Sequence, residues 1–149
     1  MSPVESLRHI FEYDYRLPQP AIDWLVMLFE ATQLFDDVAD HDPIKRDDLN
    51  AVLWATLVAM PANSFYRANQ TELGALVSNY ILKWQASDAA ERNKTHNEVS
   101  FVWRAGFYDV VLGVVRLCHG PAIAHELALP VMKLYGEKYE DYLKEFGHG

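Results

Sequence analysis

The feature that most limits the possible fold is a long apolar segment at residues 21 to 40. Its large apolar residues are Ile22, Trp24, Leu25, Val26, Met27, Leu28, Phe29, Leu34, Phe35 and Val38. On a helix these side chains cover nearly the whole circumference, and such a helix is stable when other elements surround it. Helical spacing also recurs through the rest of the chain. The sequence therefore predicts an all-α fold, a bundle of about seven to eight helices with this segment at its centre.

Proline, glycine and capping residues mark the ends of the predicted helices. We expect helices at about residues 3–13, 21–40, 43–60, 73–84, 88–97, 98–118, 125–134 and 137–146. Asp42 followed by Pro43 is typical of an N-cap and a first-turn proline, and Ser87 is a second predicted N-cap. The apolar run at residues 110–115 is also compatible with a strand. Helical spacing continues on both sides of it, so we expect a helix there.

The length and charge of the chain exclude several classes of partner. A chain of 149 residues has the usual size of one compact domain, and we expect residues 1–149 to form a single α-helical domain. Its formal charge of -8 opposes attraction to nucleic acid or to an anionic membrane surface. Charges interrupt the apolar runs well short of the ~20 residues that a membrane-spanning helix needs. With a single cysteine, Cys118, and no basic or apolar N-terminal segment, we expect a cytoplasmic protein.

Three carboxylates follow the apolar segment, namely Asp36, Asp37 and Asp40. On a helix Asp36 and Asp40 share one side, with Asp37 about 100° away. Carboxylates repel one another there, by a few tenths of a kcal/mol for an i, i+4 pair, and they oppose the negative end of the helix dipole by roughly 0.3 to 1 kcal/mol each. A cation is expected to offset this repulsion. The candidates are Mg²⁺, which prefers carboxylate oxygens, and the nearby Lys45 and Arg46.

The same residues resemble a known family. Residues 34–40, with the sequence LFDDVAD, resemble the first aspartate-rich box (DDxxD) of the class I isoprenoid synthases, the all-α prenyltransferases and terpene cyclases. A basic pair follows that box in chain-elongating members, at the spacing of Lys45 and Arg46. The resemblance spans roughly residues 25–60 of a chain much shorter than a typical member. It implies that Asp36, Asp37 and Asp40 bind Mg²⁺, that Lys45 and Arg46 contact the diphosphate of a prenyl diphosphate, and that the cluster borders an apolar cavity.

Other interpretations of the cluster stay open. Asp36, Asp37 and Asp40 could be a solvated helix end or an unrelated metal site. A nonenzymatic all-α interaction or accessory protein, either alone or as a homo-oligomer, would have no cavity and a large exposed apolar patch. An all-α nucleoside-triphosphate pyrophosphatase would need the pairs Asp37/Asp40 and Glu137/Glu140 to lie together.

A few further residues carry structural predictions. Asp109 and Arg116 lie seven residues apart, on nearly one side of a helix. As a buried pair they could line a cavity and bind an anion, but an internal salt bridge or an exposed helix edge is the favoured interpretation. Gly106 and Gly113 have the same spacing and are expected to permit close helix packing. Trp24, Trp54, Trp84 and Trp103 are expected in the core. His41 is the one histidine expected to come near a ligand.

Overall fold

Every regular element of the chain is helical in its computed structural model, which describes residues 1–147. These residues form nine helical segments and no strand, which confirms the all-α prediction with one or two more helices than expected. The segments are α1 (Pro3–His9, continued by the π-helical stretch Ile10–Asp14), α2 (Gln19–Ala39), α3 (Arg46–Trp54, continued by the π-helical stretch Ala55–Ala59 and the turn Met60–Ala62), α4 (Ser64–Ala68), α5 (Gln70–Arg92), α6 (Glu98–Trp103), α7 (Phe107–His119), α8 (Pro121–Met132) and α9 (Tyr139–Glu145).

The chain divides into two compact units. Unit 1 is Met1–Gln70 and unit 2 begins at Thr71. The single domain expected from the sequence therefore stays a prediction. None of the helices in the described part of the chain is both long enough and apolar enough to cross a membrane.

Unit 1 is built around α2, as the apolar segment predicts. The buried side chains of α2 are Ala21, Ile22, Trp24, Leu25, Val26, Leu28, Ala31 and Leu34. Arg8 Nη1 of α1 donates to Asp23 Oδ1 at 2.9 Å, and the ring of Trp24 stacks on Tyr66 of α4 with centroids 6.2 Å apart. Near the C-terminal end of α2, Ala31 and Leu34 pack with Val52 of α3 in a group that we call the α2–α3 core cluster. The neighbours of α2 thus come from three other helices.

Unit 2 contains a long helix, α5, for which we expected two separate helices at residues 73–84 and 88–97. Ser87 was expected to begin a new helix, but α5 runs through it without interruption to Arg92. The Ser87 side chain is buried, and its Oγ lies 3.0 Å from the carbonyl oxygens of both Lys83 and Ser100. Its hydroxyl is therefore satisfied inside the fold and does not cap a helix end.

The predicted helix at residues 98–118 is instead two helices, α6 and α7, separated by a turn at residues 104–106. Gly106 and Gly113 make the close contacts expected of them, because a methyl group built on either one would collide with Tyr80 or Leu76 of α5, respectively. The valine-rich run is helical, and Val110, Val111, Val114 and Val115 are completely buried.

The helices α8 and α9 correspond to the last two predicted helices, and α8 starts four residues earlier than expected.

The tryptophans differ in their environments. Trp24 is 1% exposed, as expected for a core residue. Trp54 is 66% exposed and Trp103 is 42% exposed, so the prediction that all four tryptophans belong to the core is wrong. Residue type alone does not determine burial, since a single large apolar side chain at the surface is common.

Candidate functional site

The three predicted metal ligands lie where α2 ends. Asp40 caps the helix, and the chain reverses through a Schellman motif in which His41 adopts a left-handed φ of 60°. The His41 N–H donates to the Val38 carbonyl at 3.2 Å, and the Asp42 N–H donates to the Asp37 carbonyl at 2.9 Å. These bonds satisfy the last carbonyl groups of the helix and fix the direction in which the chain leaves it.

The carboxylates of this cluster do not share one environment. Asp36 and Asp37 are half-buried and Asp40 is exposed, and of the three only Asp37 lines the neighbouring cleft. In residues 1–147 no group of three or more His, Cys, Asp or Glu side chains is arranged to hold a metal ion. A Mg²⁺ site formed by all three aspartates stays a prediction.

The basic pair lies at the start of α3. We expected that helix to begin at Pro43, but it begins at Arg46 with Lys45 as its N-cap residue, so the predicted start is wrong. The reason is tertiary: Ile44 packs against the α2–α3 core cluster, and residues 42–45 therefore have no regular structure. Both Lys45 and Arg46 are exposed, and only Lys45 lines the cleft.

The cleft itself lies within unit 1 and has a volume of about 600 Å³. Its apolar lining includes Val4, Met27, Leu34, Ile44 and Val52. Two of these residues, Leu34 and Val52, belong to the α2–α3 core cluster, so the cleft lies directly over packed side chains. The combination of an apolar lining with a few polar groups is typical of small-molecule sites.

The polar lining of the cleft was only partly expected from the sequence. Besides Asp37 and Lys45, it contains Glu30, Gln33 and Asp48. Glu30, Gln33 and Asp37 have the i, i+3, i+7 spacing of one helix side, and Lys45 and Asp48 are three residues apart at the start of α3. This spacing was a signal that could have identified the three missed residues. The charged lining amounts to three carboxylates and one ammonium group.

The first turn of α3 also faces outward without a side-chain cap. Within the described residues no side chain accepts a hydrogen bond as an N-cap of this helix, although Asp47 and Asp48 are favourably placed in its first turn. Uncapped amide groups at a helix N-terminus attract anions. Lys45 is the one cationic side chain among the described residues of the cleft lining, and Asp47 and Asp48 place two negative charges in the same turn.

A second polar cluster lies in unit 2 and was not expected from the sequence. Arg104 Nη1 is 3.9 Å from Glu91, 3.7 Å from Glu137 and 3.7 Å from Glu145. These distances are those of ion pairs that are too long for hydrogen bonds. The buried Tyr142 donates its hydroxyl to Glu91 Oε2 at 3.0 Å. One guanidinium group is thus shared by three carboxylates, which come from α5, from α9 and from the turn before α9.

The proton affinities in this cluster follow from burial. Burial raises the pKa of Glu91 from 4.5 to about 7 and outweighs the lowering effects of Arg104 and of the hydrogen bond from Tyr142. Burial alone would lower the pKa of Arg104. The nearby carboxylates of Glu137, Glu91 and Glu145 outweigh this effect, and the pKa of Arg104 is raised above its ordinary value. Arg104 is therefore cationic, whereas a pKa of about 7 means that Glu91 gains and loses its proton near neutral pH. The cluster links α5, the turn between α6 and α7, and α9 with the residues just before it.

Asp109 and Arg116 make separate salt bridges to α5. Lys83 Nζ lies 2.6 Å from Asp109 Oδ2, and Arg116 Nη2 lies 3.1 Å from Glu72 Oε2. Both Asp109 and Arg116 are exposed, so the two residues correspond to the exposed helix edge and not to an internal salt bridge. The pyrophosphatase pairs Asp37/Asp40 and Glu137/Glu140 belong to different units.

The chain was also compared with protein-family models, curated proteins and solved structures, and none of them matches it. The resemblance to class I isoprenoid synthases accordingly depends on the motif around Asp36, Asp37 and Asp40 and stays a prediction.

Proposed function

We propose that unit 1 binds an apolar ligand through its diphosphate group, with Mg²⁺, in the cleft beside the end of α2. The observation that carries this proposal is that Asp37 and Lys45 line one cleft with an apolar floor. They come from the two halves of the predicted site, the aspartate-rich box and the basic pair. The proposal is for binding, and a prenyl diphosphate is the ligand class that the resemblance implies.

The charge of the cleft requires the metal. Glu30, Asp37 and Asp48 contribute three negative charges against one from Lys45. A bare diphosphate would be repelled by this lining. Carboxylate oxygens are the preferred protein ligands of Mg²⁺, which commonly binds through one or two carboxylates plus substrate phosphates. In this arrangement Asp37 and Asp48 would hold the metal, and Lys45 with the first amides of α3 would contact phosphate oxygens.

The apolar lining would bind the hydrocarbon part of the ligand. Each CH₂ group transferred from water to an apolar site contributes about 0.8 kcal/mol. A prenyl diphosphate should therefore bind at least tenfold more tightly than inorganic pyrophosphate, even if only two or three of its carbons are buried. If the bound compound is also a substrate, Mg²⁺ would stabilise the departing diphosphate, and release of pyrophosphate would report the reaction.

The test is calorimetric titration of inorganic pyrophosphate and of geranyl diphosphate, each with and without Mg²⁺. We expect binding only with Mg²⁺, and tighter binding of geranyl diphosphate. Asp37→Asn and Asp48→Asn should each weaken binding at least tenfold, because both side chains line the cleft. Asp40→Asn is the matched control, since Asp40 is exposed and belongs to the same cluster without lining the cleft.

Two results would contradict the proposal. The first is that the wild type gives no heat with either compound in the presence of Mg²⁺. The second is that Asp40→Asn weakens binding as much as Asp37→Asn. In that case any diphosphate site would lie at the helix end and outside the cleft.

A second candidate function is that of a nonenzymatic interaction module. The observation that favours it is the exposed apolar surface of α3, where Trp54 and Leu57 are 66% and 72% exposed. The absence of a cavity expected for such a module is not met, because unit 1 has the cleft. The two functions are still compatible, because the cleft and this surface involve different residues of the same helix.

A further inference from the structure

The helix α3 is apolar along most of its length but is covered on one side only. Residues 49–62 include no charged residue. Only Val52 of α3 is buried, whereas five large apolar side chains are exposed. They are Leu49, Leu53, Trp54, Leu57 and Val58, and we call them the α3 face.

The spacing of these residues makes the α3 face continuous. Leu49, Leu53 and Leu57 follow one another at intervals of four, and Trp54 and Val58 flank them. Leu57 and Val58 lie in the π-helical stretch Ala55–Ala59, a deviation from α-helical geometry that is frequent at functional sites. Helices that are apolar around most of their circumference are normally enclosed. The α3 face therefore has the size of the largest apolar patch on a typical monomer, and such patches are often functional.

We propose that the α3 face is covered by a second copy of this chain, in a symmetric dimer. The exposed area of its five side chains is on the order of 500 Å². A stable interface buries about 800 Å² on each partner. The α3 face alone thus supplies roughly two-thirds of that area, which corresponds to a weak and reversible dimer.

The distribution of charge favours a second copy over a partner recognised by charge. The chain carries a net charge of -8, so two copies repel one another over most of their surface. Residues 49–62 are uncharged, and pairing of two α3 faces therefore places no like charges in direct contact. A basic or acidic partner would find no complementary group on this face. A two-fold axis would bring the same residues of both copies together.

The dimer does not depend on the proposed ligand. The residues of α3 that line the cleft include Ala51, Val52 and Ala55, and none of them belongs to the α3 face. Association through the face would therefore leave the cleft lining unchanged. Failure of one proposal is distinguishable from failure of the other, because calorimetry reports the ligand and sedimentation reports the dimer.

The experiment is sedimentation velocity of the full chain from about 1 to about 100 µM, without added ligand. We expect a monomer–dimer equilibrium in this range. Leu57→Glu and Trp54→Glu should each raise the dimer dissociation constant at least tenfold, because a charge would be buried at the centre of the contact. Leu129→Glu in α8 is the matched control, with a leucine that is 55% exposed in unit 2, and it should leave the constant unchanged. Circular dichroism of each variant checks that it folds.

Salt provides a readout that needs no variant. Raising the ionic strength screens the repulsion between two chains of charge -8, so the dimer should be as strong or stronger in high salt. A wild type that is monomeric at every concentration would overturn the proposal. So would a dimer that Leu57→Glu and Trp54→Glu leave intact, or one that dissociates as salt is added.

Discussion

The polar cluster of unit 2 predicts that replacing Glu91 with glutamine stabilises the protein at high pH. The Glu91 side chain is only 10% exposed and shares Arg104 with Glu137 and Glu145. Glutamine resembles the protonated form of glutamate, and its carbonyl oxygen can still accept the hydrogen bond from Tyr142. The Glu91→Gln variant therefore keeps the packing of the cluster and removes only the ability to ionise.

The size of the effect follows from the raised pKa of Glu91. The folded state binds this proton with a pKa of about 7, compared with 4.5 for an unperturbed carboxyl. A tenfold difference in proton affinity corresponds to about 1.4 kcal/mol, so the full difference is at most about 3 kcal/mol. Because the folded state binds the proton more tightly, the free energy of unfolding of the wild type falls as pH rises from about 4.5 to about 7. This contribution is fully present below pH 4.5 and is lost above pH 7.

The measurement is urea denaturation at pH 4, 6 and 8, followed by circular dichroism. We expect the variant and the wild type to agree within a few tenths of a kcal/mol at pH 4 and the variant to be more stable by about 1 to 3 kcal/mol at pH 8. Glu126→Gln, at an exposed position of α8, is the control for loss of one negative charge and should show no such pH dependence. A difference between Glu91→Gln and the wild type that stays constant with pH would refute the reasoning. A wild type that gains stability over the variant as pH rises would show that ionised Glu91 is stabilised by Arg104.

Two further predictions concern the backbone. Gly113→Ala should be less stable than Gly74→Ala by about 1 to 3 kcal/mol in thermal denaturation, because a methyl group at Gly113 would collide with Leu76 whereas Gly74, also helical, has open space around it. Equal effects of the two substitutions would show that α5 and α7 do not pack closely at Gly113. His41→Gly should be more stable than His41→Ala by about 1 kcal/mol, since the left-handed φ of 60° at this position favours glycine. Equal denaturation temperatures of the two His41 variants would contradict the Schellman turn at the end of α2.

The sequence predicted the helical elements better than their boundaries. The apolar segment at residues 21–40 corresponds to α2, whose buried side chains lie between Ala21 and Leu34, whereas Phe35 and Val38 near its end are exposed. The close packing of Gly106 and Gly113 against α5 is confirmed. Two of the missed boundaries coincide with a contact to a distant residue. Ile44, just before α3, packs against the α2–α3 core cluster, and the hydroxyl of Ser87, within α5, reaches the carbonyl oxygen of Ser100. Local signals such as Pro43 or a serine cannot report these contacts.

For the candidate site, the sequence identified the helix end and the tertiary structure selected the residues that face a cleft. Helical periodicity and net charge are local or summed properties, so the chain alone determined an all-α fold and a carboxylate cluster at the end of α2. Which carboxylates share a cleft depends on how α2 and α3 pack, and this packing brings Asp37 together with Asp48 and Lys45 in the lining. The exposure of Trp54 was decided in the same way, since α3 presents only one side to its neighbours. Packing between helices is a property of pairs of distant residues, and for that reason only the three-dimensional structure revealed it.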